Sequence, residues 1–60
     1  MKKNIPVKVY QFIITDSATG AQELINNVSC VFRYERTIEL FLKGGDVLQY
    51  SADAVTVKRA

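Results

Sequence analysis

Residues 28–43, VSCVFRYERTIELFLK, decide the fold class of this chain. Val28, Cys30, Phe32 and Tyr34 alternate with Ser29, Val31, Arg33 and Glu35. Past Glu35-Arg36 a second alternation sets Ile38, Leu40 and Leu42 against Thr37, Glu39, Phe41 and Lys43. Successive side chains of a strand point to opposite faces, so a period of two rich in β-branched and aromatic residues predicts two half-buried strands joined by a short turn. The alternation assigns Val28, Cys30, Phe32, Ile38, Leu40 and Leu42 to the core.

Strand signals continue on both sides of this stretch. Lys43-Gly44-Gly45-Asp46 reads as a tight turn, followed by strands over Val47 to Ser51 and Val55 to Lys58. Ala52-Asp53-Ala54 between them is too short for a helix, so a single 3-10 turn is expected near residues 51–54. On the other side, Ile5 to Thr15 reads as a first strand, with Pro6 tolerated at its start. Asp16-Ser17-Ala18-Thr19-Gly20 reads as a hairpin loop, in which Asp16 bonds the backbone two residues on and Gly20 supplies a positive φ.

Ala21 to Ile25 is ambiguous. Thr19 with Gln22 has the spacing of a helix capping box, and Ala, Gln, Glu and Leu are good helix formers. A weak internal echo points the other way. GAQELINNVSCVFR (residues 20–33) and GDVLQYSADAVTVKR (residues 45–59) each run from a turn glycine through a short apolar-containing run and a polar corner into a strand. The echo tips residues 21–25 towards strand.

These elements predict an all-β chain, a single domain over 1–60, with five or six antiparallel strands in a meander. Open edges are a liability, so the meander is expected to curl into a small barrel or a strongly twisted sheet. A short turn just before the last strand is similar in layout to SH3-like barrels. The similarity stops at layout, because the chain has no tryptophan and no acidic, tyrosine-rich segment of the kind SH3 domains use to hold ligands.

The first strand is apolar on both faces. Val7, Val9 and Ile13 fall on one side, and Tyr10, Phe12 and Ile14 on the other. Either the strand bends to serve two halves of a barrel, or one face is an interface. On the second reading Tyr10, Phe12 and Ile14 form a protein interface, since contiguous exposed apolar area marks contact sites. A 60-residue chain has room for only a small core, which favours a homodimer.

Charge and composition narrow the classes. The net charge is +2 with a hydrophobic fraction of 48% and a charged fraction of 23%, the balance of a folded domain rather than a disordered tail. No apolar run approaches the roughly 20 residues of a membrane-spanning helix. The basic start, Met1 to Pro6, lacks the apolar core and small-residue cleavage site of a signal peptide. One cysteine permits no internal disulfide, in keeping with a reducing compartment, and the expected location is cytoplasmic.

Catalysis is not expected. The chain has no histidine, the commonest general base and metal ligand, and a lone cysteine cannot build a zinc site. Ser17, Ser29 and Ser51 have no base nearby in sequence. Glu35 and Glu39 are separated by a turn, and Gly44-Gly45 lacks the remaining residues of a phosphate loop. No cofactor is implied.

Two binding functions remain. In the first, the protein is a non-enzymatic interaction module or regulator that docks another protein through a sheet edge or an apolar sheet face. In the second, the basic ends and sheet aromatics bind single-stranded nucleic acid weakly, with Lys2, Lys3, Lys8, Tyr10, Lys58 and Arg59 as the contact residues. That reading needs the first and last strands to pair, so that their cations converge.

Overall fold

The computed structural model describes residues 8–60, all of them strand, turn or loop. Five strands are present: β1 (Tyr10–Asp16), β2 (Gln22–Arg33), β3 (Thr37–Leu42), β4 (Val47–Ser51) and β5 (Val55–Arg59). They form one sheet in the order β4-β3-β2-β1-β5, and every neighbouring pair is antiparallel. Among the described residues the sheet is not closed, and β4 and β5 lie at its two edges. Among the described residues no helix is long and apolar enough to cross a membrane.

The expected first strand, from Ile5, is observed from Tyr10; Ile5, Pro6 and Val7 lie outside the described residues. The Asp16 loop forms as its sequence dictates. The Asp16 carboxylate accepts from the N–H groups of Ala18 and Thr19, and Gly20 has φ 77°. Thr19 caps no helix: its hydroxyl oxygen accepts from the Ala21 N–H, and the chain passes straight into β2.

Residues 21–25 and the strand that follows were expected as separate pieces, and they are one strand of 12 residues. What reads as a polar corner at Asn26-Asn27 is a bulge. Tyr10 pairs with Val28, but Phe12 pairs with Ile25, so β2 spends one residue more than β1 over that interval. Asn27 absorbs the change at φ 62°, a left-handed conformation that asparagine tolerates better than most residues. Its carbonyl accepts the Lys43 N–H, so the bend leaves that group satisfied.

A second bulge follows at once. Val28 pairs with Leu42 and Cys30 with Phe41, which makes Ser29 the extra residue opposite β3. The Ser29 hydroxyl donates to the Phe41 carbonyl at 2.9 Å. Each bulge shifts the strand's parity by one. The inward residues of β2 are therefore Ile25, Val28 and Val31, three apart rather than two. Cys30 and Phe32, expected in the core, are turned to the outer face, and both are exposed.

The core is small: Ile14, Val28, Ile38, Leu40 and Val57, with Val28 and Leu40 fully buried. Phe12, Ile25, Val31, Leu42, Leu48, Tyr50, Ala52 and Val55 pack around it. One turn, closed by the Ala54 N–H to the Ser51 carbonyl, joins β4 to β5. It is pinned on both sides, by Ala52 N–H to Arg36 carbonyl and by Ser17 N–H to Ala54 carbonyl. Those bonds bring the β2–β3 turn and the β1–β2 loop together and curl the sheet around its core.

Candidate docking face and basic end

The outer side of β2, β3 and β4 carries the exposed aromatic surface. In register, Cys30 lies beside Phe41 and Phe41 beside Val47, while Phe32 lies beside Glu39 and Glu39 beside Gln49. Phe32 meets Phe41 edge to face, with ring centroids 5.1 Å apart at 88°. That arrangement sets the positive edge of one ring on the negative face of the other. Phe32 remains 47% exposed and Val47 46%, so the aromatic pair lies on an apolar surface rather than in a covered cluster. Tyr34, just past the end of β2, is 55% exposed.

Phe41 is outward for a plain reason: its neighbour Leu40 faces inward. Phe32 is outward because of the Ser29 bulge. Strict alternation from Val28 puts it inside. The usable signal is the repeat of apolar residues at 25, 28 and 31, with the polar pair Asn26-Asn27 in the first gap, which fits β2 only if the strand bulges twice.

The residues expected as an interface sit on the inner side of β1. Ile14 is 4% exposed and belongs to the core, so it has no surface to offer a partner; this corrects its assignment as a contact. Phe12 is half-buried against that core. Tyr10 is half-buried, with the Arg59 guanidinium over its ring at 4.1 Å from the centroid. The outward face of β1 carries Gln11, Ile13 and Thr15 instead. Ile13 pairs with Leu24, itself 51% exposed.

The first and last strands do pair. Phe12 lies opposite Arg59 and Ile13 opposite Lys58, and the Ala60 N–H donates to the Gln11 carbonyl. Lys58, Arg59 and the exposed Lys8 therefore occupy one end of the sheet, whereas Lys2 and Lys3 lie outside the described residues. Lys58 and Arg59 also border an open groove of about 400 Å³, with Ile13, Thr15, Gln22 and Thr56. The groove is a shallow trough along the outer face of β1, with no buried polar group aimed into it.

A second trough of about 370 Å³ opens at the mouth of the core, between Glu23 on β2 and Tyr50 on β4. Burial pushes the Tyr50 phenol above its usual 10.0, and the negative charge of Glu23 pushes in the same direction. Compared with protein-family models, with curated proteins and with solved structures, the chain gives no match in any of the three.

Proposed function

We propose that the chain is a non-enzymatic interaction module, a partly open SH3-like barrel that docks another protein on the outer face of β2, β3 and β4. The observation that carries this reading is the Phe32–Phe41 pair, edge to face, with Phe32 exposed to solvent beside a half-buried Phe41 and an exposed Val47. Aromatic side chains held in place supply much contact area at little entropic cost, which is why they dominate the energetics of interfaces. The partner it suits presents apolar side chains to this patch, ringed by polar groups that meet Glu39 and Gln49.

The barrel reading is supported by the long bent β2, shared between two halves of the sheet, and by the single turn before β5. A cytoplasmic setting is supported by Cys30, a free thiol on the exposed face that an oxidising compartment would leave open to modification.

The test is affinity capture from a nuclease-treated lysate, with native protein and the Phe32→Ser variant side by side. Phe32 is outside the core, so the variant is expected to fold and to lose the partner that the native chain retains. Identical capture by both proteins would remove the aromatic face from the account. Capture that disappears with nuclease would transfer the function to nucleic acid and to the Lys8, Lys58 and Arg59 end.

A further inference from the structure

The two edges of the sheet differ in how they are defended. Hydrogen bonds between antiparallel strands alternate along the pair, so one bond of known phase tells which residues face outward. On β5 the bonds Ala60 N–H to Gln11 carbonyl and Ser17 N–H to Ala54 carbonyl set the phase. The backbone groups of Val55, Val57 and Arg59 then point away from β1. This edge is already occupied in part, because Arg33 Nη2 donates to the Val57 carbonyl at 3.0 Å. It also carries the charges of Lys58 and Arg59.

On β4 the Leu42 N–H to Asp46 carbonyl bond sets the phase. Leu48 and Tyr50 bond to β3, while the N–H and C=O groups of Val47 and Gln49 and the N–H of Ser51 face outward; the Ser51 carbonyl is already taken by the Ala54 N–H. β4 reads VLQYS, with no charge and no proline, and its pairing with β3 has no bulge. Sheets normally blunt a free edge with one of those devices. β4 has none of them.

We propose that β4 pairs with β4 of a second copy, antiparallel, about a two-fold axis through Gln49. This register keeps the inner faces of both sheets on one side, because it moves no side chain across the pleat. Val47, Gln49 and Ser51 then meet the partner's Ser51, Gln49 and Val47, with no charged side chain opposed anywhere along the strand. Leu48 and Tyr50, half-buried in one copy, gain cover from the partner's inner face.

A second copy is the occupant that the two edges together favour. Joining β4 to β4 closes the assembly, and the outermost strands of the doubled sheet become the two β5 strands, the defended ones. Pairing β4 with β5 of another copy would leave a free β4 at each step and propagate without closure. A core of five buried residues among those described, in a chain whose single cysteine permits no internal disulfide, is also of the size that oligomerisation commonly supplements.

Sedimentation equilibrium on the full chain tests this, with two variants. Gln49→Pro removes the central outward N–H while leaving every bond to β3, a position at which an edge strand tolerates proline. Gln49→Lys sets two like charges opposite each other at the axis. The native chain should sediment as a dimer, and each variant should dissociate at least tenfold more readily with its β-sheet circular dichroism intact. Should Gln49→Pro unfold, Gln49→Lys decides alone. A native chain that is monomeric at about 100 μM, or a Gln49→Lys variant that dimerises as the native chain does, would overturn the proposal. Phe32→Ser should leave the dimer unchanged, so loss of docking and loss of assembly are read separately.

Discussion

Arg33 reaches from the end of β2 to the far edge of the sheet, where its Nη2 donates to the Val57 carbonyl at 3.0 Å. The contact joins strands that are not neighbours, since β1 lies between β2 and β5 in the sheet order. It places a side chain across the open side of the curl, where a closed barrel would have backbone pairing.

Arg33→Met should therefore loosen the curl without emptying the core. The bond is charge-assisted, but the arginine itself is exposed, and a loss of about 1 kcal/mol is expected. In a domain of this size that corresponds to a fall in melting temperature of roughly 4 to 8 °C. Thermal denaturation followed by circular dichroism measures it, and an unchanged melting temperature would show that the curl does not depend on this bond.

Leu40 occupies the centre of the core and is fully buried. Leu40→Ala should cost roughly 2 to 5 kcal/mol through lost transfer energy and the cavity left behind. A chain of 60 residues has little more than that to lose, so much of the variant should be unfolded at room temperature. A native-like urea transition for Leu40→Ala would show that this side chain is not where the inner face lies.

The strands and turns were legible because each depends on local chemistry. The Asp16 carboxylate, Gly20 and the Gly44-Gly45 pair specify their turns within a few residues, and Ile38-Glu39-Leu40 alternates on an unbroken strand. The parity of β2 was not legible by alternation. A bulge costs one residue, and every side chain beyond it changes face. Cys30 and Phe32 were placed inside for that reason, and the exposed aromatic face of β2 and β3 went unrecognised with them. For the face of β1 that carries Tyr10, Phe12 and Ile14 the sequence left two readings open, a bent strand or an interface; the structure sets Phe12 and Ile14 with the core, beside Ile25 and Val28 of β2.

Tyr50 makes stability depend on alkaline pH. Its folded pKa is raised, by burial first and by Glu23 second, so near pH 10 the folded chain holds a proton that the unfolded chain has released. Stability is then complete below about pH 10 and falls as pH rises through the raised value. In a background with Tyr10→Phe and Tyr34→Phe, the phenolate absorbance of Tyr50 should appear later than that of a free tyrosine. Glu23→Gln should bring it part of the way back, because burial remains. A phenolate transition at the ordinary tyrosine value would contradict the packing of β4 over the mouth of the core.

The Ser29 bulge turns Cys30 and Phe32 outward, and the proposed docking face depends on that change of parity. Cys30 is the only thiol in the chain, which makes its native-state reaction with a disulfide reagent a direct reading of the strand's parity. Cys30 in the folded protein should react completely, within about an order of magnitude of its rate in denaturant. Protection by a hundredfold or more, released only on unfolding, would put Cys30 and Phe32 back inside and contradict the account.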